Sequence, residues 1–152
     1  MRFLGNIEAK TDAKGRAFLP AVFRKVLQAS GEETLVLRKD VFQKCLVLYP
    51  ESVWNARLDI LNAQLSPWKS ASKQQMFRKF VAEAEILTLD GNGRFLISKR
   101  LQKAADISQD IQFIGMDDTI EIWSPQHLNE ILKSDEDFSV EFEDMMNAGN
   151  AL

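Results

Sequence analysis

Asp12-Ala13-Lys14-Gly15-Arg16 and Asp90-Gly91-Asn92-Gly93-Arg94 are two copies of one short motif. Their Asp, Gly and Arg are each displaced by 78 positions (90 − 12, 93 − 15, 94 − 16). Each copy follows an alternating apolar/polar run and precedes an apolar one, Ala17-Phe18-Leu19 in the first and Phe95-Leu96-Ile97 in the second. Glycine takes positive φ without steric cost, and aspartate at the start of a turn accepts backbone N–H bonds through its carboxylate. Both copies therefore read as hairpin turns structured by Asp12, Gly15, Asp90 and Gly93. Arg16 and Arg94 then begin the outgoing strands. A repeated turn that presents an arginine twice is either a folding device or a two-pronged binding device.

Outward from the turns, the pattern is the same in both halves. Residues 3–9 read as a strand and 16–19 as a short strand. Pro20 opens a helix over 20–27, because Val22, Phe23, Val26 and Leu27 recur at helical spacing and proline suits the first helical turn. Strands follow at 34–37 and 45–49, separated by a polar loop that begins at Arg38-Lys39-Asp40. Pro50 stops the second of these strands, and Ser52 is placed to cap a helix running to Leu65. In that helix Trp54, Leu58, Leu61 and Leu65 form an apolar stripe. Ser66-Pro67 breaks it, and a second helix is predicted over 72–82. The order then restarts: strand 85–89, turn 90–93, strand 94–97, helix 98–105, strand 110–114, turn 115–118, strand 119–123, helix 125–133. The predicted fold class is α+β with an internal duplication around a shared β core, since each half is small for independent folding. The predicted organisation is a first repeat with its helical hairpin at 1–82, a second repeat at 83–134, and an acidic tail at 135–152 expected to be flexible.

Composition narrows the function. The chain has 152 residues and a formal net charge of −3, with one cysteine, Cys45, which excludes an internal disulfide framework and a cysteine-rich zinc site. Its longest apolar run, about Cys45 to Tyr49, is far short of the roughly 20 residues of a membrane span. Met1 to Asn6 carries no apolar leader region, so the expected home is the cytoplasm. The charge is unevenly spread. Six acids and no Lys or Arg lie beyond Ser134, which leaves 19 bases against 16 acids in residues 1–134. Lys69, Lys73, Arg78 and Lys79 form a second stretch without acids. Such asymmetry permits a local basic patch on an acidic protein.

Enzyme chemistry has little support. His127 is the single histidine and reads as a surface or satisfied structural group. There is no phosphate loop, no nucleophile–base set and no complete calcium loop at Asp90. Asp12 and Asp90 occupy identical turn positions, which favours turn formation over acid–base work. No metal, cofactor, small-molecule substrate or membrane contact is expected.

Three stretches carry a resemblance: Asp12-x-Lys14-Gly15-Arg16-x-x-x-Pro20-x-x-Phe23-Arg24, its second copy, and Gly115-Met116-Asp117-Asp118-Thr119-Ile120-Glu121-Ile122-Trp123-Ser124. Together they resemble the MraZ family over residues 1–135. The resemblance implies an AbrB-like swapped-hairpin β-barrel with both copies of the unit in one chain. It also implies a bacterial, nucleoid-associated transcriptional regulator that forms rings. Its partner would be double-stranded DNA, at short direct repeats upstream of the division and cell-wall gene cluster that contains its own operon. The DNA-contacting residues it implies are Lys14 and Arg16 in the first loop and Asn92 and Arg94 in the second, with Asp12 and Asp90 in the same loops. The second copy departs from the pattern with Ser98 in place of Pro20 and Gly91-Asn92 in place of Ala13-Lys14. The loss of the lysine weakens that loop's phosphate contact. The physical reading agrees: arginine suits bidentate bonds to guanine or phosphate, and a β-ribbon fits the major groove. The alternatives are a protein-interaction module docking an acidic partner through the same arginines, and an enzyme using Asp and Arg. The apolar helices at 52–65 and 72–82 further predict a cyclic homo-oligomer.

Overall fold

The computed structural model describes residues 1–150. Strand β1 (Asn6–Lys10) enters the first turn and β2 (Arg16–Phe18) leaves it. Helix α1 (Ala21–Ala29) starts after Pro20 and buries Phe23 and Leu27, one turn apart. Strands β3 (Thr34–Lys39) and β4 (Leu46–Pro50) are nearly continuously buried, as central strands are. Helices α2 (Glu51–Leu65) and α3 (Ala71–Ala82) form a hairpin between the halves. The second half repeats the order with β5 (Glu85–Thr88), β6 (Arg94–Leu96), α4 (Lys99–Ala104), β7 (Asp110–Gly115), β8 (Ile120–Trp123) and α5 (Pro125–Ile131). Helix α6 (Asp135–Asn150) closes the described chain.

Six strands form an antiparallel sheet in the order β1-β7-β8-β4-β3-β5, and β2 and β6 form a separate two-stranded ribbon. The pairing crosses between the halves reciprocally. The first strand of each half pairs with the third strand of the other, β1 with β7 and β5 with β3. The second strands pair with each other, as do the fourth. In the ribbon, Ala17 faces Phe95, its equivalent 78 positions on, with Arg16 opposite Leu96 and Phe18 opposite Arg94. Neither half can complete a sheet alone, which is the physical content of the shared core. Strands β1 and β5 remain the two edges of the sheet, so among the described residues the strand pairing does not close into the expected barrel.

The core lies between the sheet, the ribbon and helices α1 and α4. Phe3, Phe23, Leu37, Leu48, Ile97 and Phe113 are essentially inaccessible. Phe3 meets Phe23 edge-on at 5.7 Å and Phe95 meets Phe113 at 6.4 Å, arrangements favoured by the ring quadrupoles.

Two local readings are corrected. Arg38 and Lys39 continue strand β3 rather than opening a loop, and Arg38 is buried. Its guanidinium is satisfied there by the carbonyls of Phe80 (2.9 Å) and Lys39 and by Glu83 at 3.4 Å, and it lies 4.4 Å from the Phe80 ring centre. Helix α2 starts directly after Pro50 without a side-chain cap, and the Ser52 hydroxyl bonds Glu32 instead. Helix α6 occupies Asp135–Asn150 of the tail, whose residues 151–152 lie outside the described residues.

Candidate nucleic-acid interface

The two turns are built by one set of bonds used twice. In the first, the Asp12 carboxylate accepts the backbone N–H groups of Lys14 (2.9 Å) and Arg16 (2.9 Å) on one oxygen. Its other oxygen accepts the Arg16 Nε–H at 2.8 Å. In the second, Asp90 accepts from Asn92 (2.9 Å), Arg94 N–H (3.0 Å) and Arg94 Nε (2.9 Å). Main-chain bonds close both, with Gly15 and Gly93 donating to the Asp carbonyls at 3.0 Å. Gly15 and Gly93 sit at φ 85° and 82°, where a side chain is strained.

This geometry makes each arginine both a brace and an exposed donor. Only Nε is engaged by the aspartate, and among the described residues the terminal guanidinium nitrogens donate to no protein group. A guanidinium carries five N–H donors, so four are left without a protein acceptor among the described residues. The Arg16 side chain is 34% exposed and that of Arg94 24%. The difference has a cause across the ribbon: Arg94 lies over the Phe18 ring at 5.8 Å, whereas Arg16 faces Leu96.

Each turn is also held by the opposite half. The Gly15 carbonyl accepts from Ile97 N–H (2.9 Å) and the Gly93 carbonyl from Leu19 N–H (3.0 Å). Gln102 bonds the Ile97 carbonyl at 2.7 Å and packs against Gly15. Arg24, its equivalent, bonds the Leu19 carbonyl at 3.0 Å and packs against Gly93 so closely that a Cβ there would lie 2.5 Å from its Nη1. Backbone conformation favours glycine at both positions, and at Gly15 a Cβ would also lie 2.9 Å from the Ile97 carbonyl oxygen, whereas at Gly93 it would meet only the movable Arg24 side chain.

The sequence-predicted residues are brought together as follows. Asp12, Lys14, Gly15 and Arg16 share one turn; Asp90, Asn92, Gly93 and Arg94 share the other; and the ribbon joins the two. Four neighbours were missed. Lys99, at the start of α4, lines the depression beside Asp12 to Gly15, and Arg24 lines the one beside Asp90 to Gly93. Phe18 and Leu96 are 56% and 53% exposed on the ribbon face that carries the arginines. Alternation from Arg16 places Phe18 on its face, and the 78-residue offset extends this to Leu96; that signal was present in the chain.

His127, set aside as a ligand, is occupied by Asp106 at 3.0 Å and Glu130 at 3.6 Å. Among the described residues no His/Cys/Asp/Glu group is arranged to hold a metal, and no helix is long and apolar enough to cross a membrane.

The backbone N–H of Arg16 holds the Asp12 carboxyl below its ordinary 3.8, and that of Arg94 does the same for Asp90; the guanidinium bonds add to this. Because the folded value is depressed, the stabilisation is present above 3.8 and is lost as pH falls through the folded value. The expected result is that the Lys14, Arg16, Asn92 and Arg94 amide resonances titrate together with a midpoint below 3.8, read by NMR. Midpoints at or above that value would show that the carboxylates do not hold the turns.

Fold and turns together define a class: a mixed α/β protein with an antiparallel sheet, in which two halves interleave and each presents an aspartate-braced arginine. Within that class, the family model described as "MraZ protein, putative antitoxin-like" matches residues 2–77 and 80–148. The chain belongs to the MraZ family. It is 59% identical over 150 residues to the transcriptional regulator MraZ of Phocaeicola vulgatus, covering 99% of this chain and 97% of that protein. It is 52% identical over 150 residues to the protein of the same name from Bacteroides thetaiotaomicron, covering 99% and 96%. The Flavobacterium psychrophilum protein of that name is 36% identical over 120 residues, 79% of this chain and 75% of that one.

Proposed function

We propose that this chain is a sequence-specific DNA-binding transcriptional regulator that reads double-stranded DNA with its two arginine turns. The observation that carries the reading is the repeated brace. Asp12 and Asp90 take one donor of each arginine and leave its terminal nitrogens without a protein partner among the described residues, both on a single ribbon. That is a preorganised pair of bidentate donors, suited to guanine edges or phosphates in a major groove. Lys14 and Asn92 flank them, and Lys99 and Arg24 add positive charge beside the turns. The names of the relatives support transcriptional regulation as the role.

The finer reading follows the family resemblance. The reciprocal strand pairing supports an AbrB-like swapped-hairpin duplication, with repeats at 1–82 and 83–134 and a tail from 135. The targets are short direct repeats upstream of the protein's own operon in the bacterial division and cell-wall cluster, reached in the cytoplasm at the nucleoid. The protein acts as a cyclic homo-oligomer. The α2–α3 hairpin supports self-association: it buries only Trp54 and leaves Ile60, Trp68 and Met76 exposed.

A gel-shift titration with the DNA upstream of the chain's own gene, against a scrambled duplex of equal length, tests the function. Preferential retardation is expected; equal affinity for both duplexes overturns sequence-specific reading. In the same assay Lys14→Ala weakens binding to both duplexes alike and lowers the salt slope by about one unit, as loss of one phosphate contact does. A loss confined to the specific duplex would reassign Lys14 to base reading.

A further inference from the structure

We propose that helix α6 of one copy docks on the α2–α3 hairpin of a second copy, so that the acidic tail straps neighbouring chains together. The inference deepens the self-association reading above and rests on it. Helix α6 carries six acids and no base, while residues 66–82, which include α3, carry Lys69, Lys73, Arg78 and Lys79 and no acid. Opposite charge on two helices of one sequence, each without acids or bases of the other sign, is the complementarity that steers and orients association.

Apolar surface matches the charge. Phe138, Phe142, Met145 and Met146 are all about half exposed or more, and the Phe138 and Phe142 rings meet at 5.5 Å, tilted by 40°, which sets them on one face. An amphipathic helix with this face and nothing covering it fits a helix-in-groove contact. On the hairpin, Trp68 is 79% exposed and Met76 54%, and no residue of α3 is buried. Hairpin and tail thus each lack an apolar cover of the kind the other supplies; within the chain Lys79 pairs with Glu83 at 3.4 Å and Glu141 with Lys133, so the charge match between copies rests on Lys69, Lys73 and Arg78 against the other α6 acids. Within its own chain α6 leaves these residues uncovered, so the contact is assigned between copies. One patch seated on a different patch is a heterologous, head-to-tail contact.

The test uses the full-length chain. Light scattering at micromolar concentration reports its mass. Carbodiimide treatment then joins carboxylates to lysines in direct contact, and the covalent monomer and dimer bands are mapped separately by mass spectrometry. Links from α6 carboxylates to Lys69, Lys73 or Lys79 are expected in the dimer band. Lys69→Glu/Lys73→Glu loses the links at those two positions and lowers the mass, and adding Glu143→Lys/Asp144→Lys to the same chain restores the mass. An oligomer whose α6 links lie only in the monomer band, or run to Lys14 or Lys99, overturns the strap and leaves self-association standing. So does a fourfold variant that fails to recover. A monomeric wild-type chain overturns both.

Discussion

A chain carrying Arg16→Ala and Arg94→Ala together keeps its melting temperature and loses specific DNA binding. The two halves of that expectation have separate causes. Each turn retains its main-chain closure and the two backbone N–H bonds to its aspartate, because only the Nε bond belongs to the side chain. That bond is a partly exposed ion pair, worth about 0–1 kcal/mol. The ribbon pairing and the buried Ala17 and Phe95 beneath are untouched. Binding, by contrast, loses both guanidinium forks. A bidentate base contact is worth about 1–3 kcal/mol, so the pair is worth roughly 2–6 kcal/mol per chain, and an oligomer on tandem sites multiplies the loss through effective concentration. Of the single variants, Arg16→Ala has the larger effect, since Arg94 is partly held by Phe18. Titration of each variant against specific and scrambled duplexes, with a melting curve beside it, measures both quantities. Wild-type affinity in a well-folded double variant ends the DNA-reading hypothesis. A parallel fall in melting temperature and affinity makes the arginines structural braces instead.

The turns were legible because their chemistry is local. Aspartate, glycine and arginine within five residues specify the hairpin and its brace, and the second copy gives the same answer independently. What joins the copies was not legible at the level of contacts. The β2–β6 pairing spans 78 positions, and apolar alternation names a strand's faces but not its partner. The residues that flank the turns, Arg24 and Lys99, are brought there by the opposite half's helices, so no local pattern marks them. Arg38 failed for the same reason. A charge in an apolar run reads as a strand end, yet its partners Phe80 and Glu83 arrive from α3, 42 and 45 positions later. The start of the tail's helix is marked locally as well. Ser134 accepts the Asp137 N–H at 3.2 Å, and Asp135, Glu136 and Asp137 fill the first turn, where negative charge suits the helix dipole.

Phe113→Ala separates the support of the ribbon from its chemistry. Phe113 is completely inaccessible, in register between Ile7 on β1 and Ile122 on β8, and its ring meets Phe95 at 6.4 Å. Phe95 lies in the ribbon between Arg94 and Leu96, so Phe113 is the floor under the strand that presents the second arginine. Truncation removes the ring from a site walled by strands of both halves, which cannot collapse to fill it. The expected loss is about 3–5 kcal/mol. Against a total stability of roughly 5–15 kcal/mol this is a large fraction, equivalent to a melting-temperature fall of roughly 6–20 °C at this chain length. Phe113→Leu, which keeps most of the volume, stays well below that loss. Denaturant titration of wild type and both variants at one protein concentration makes the comparison like for like. DNA affinity falls in the alanine variant along with stability and is largely kept in the leucine variant. This is the reverse of the arginine series, where affinity falls and stability holds. If the alanine variant loses less than about 1 kcal/mol, the cavity must refill from a core more pliable than its close packing implies, and the ribbon does not depend on Phe113.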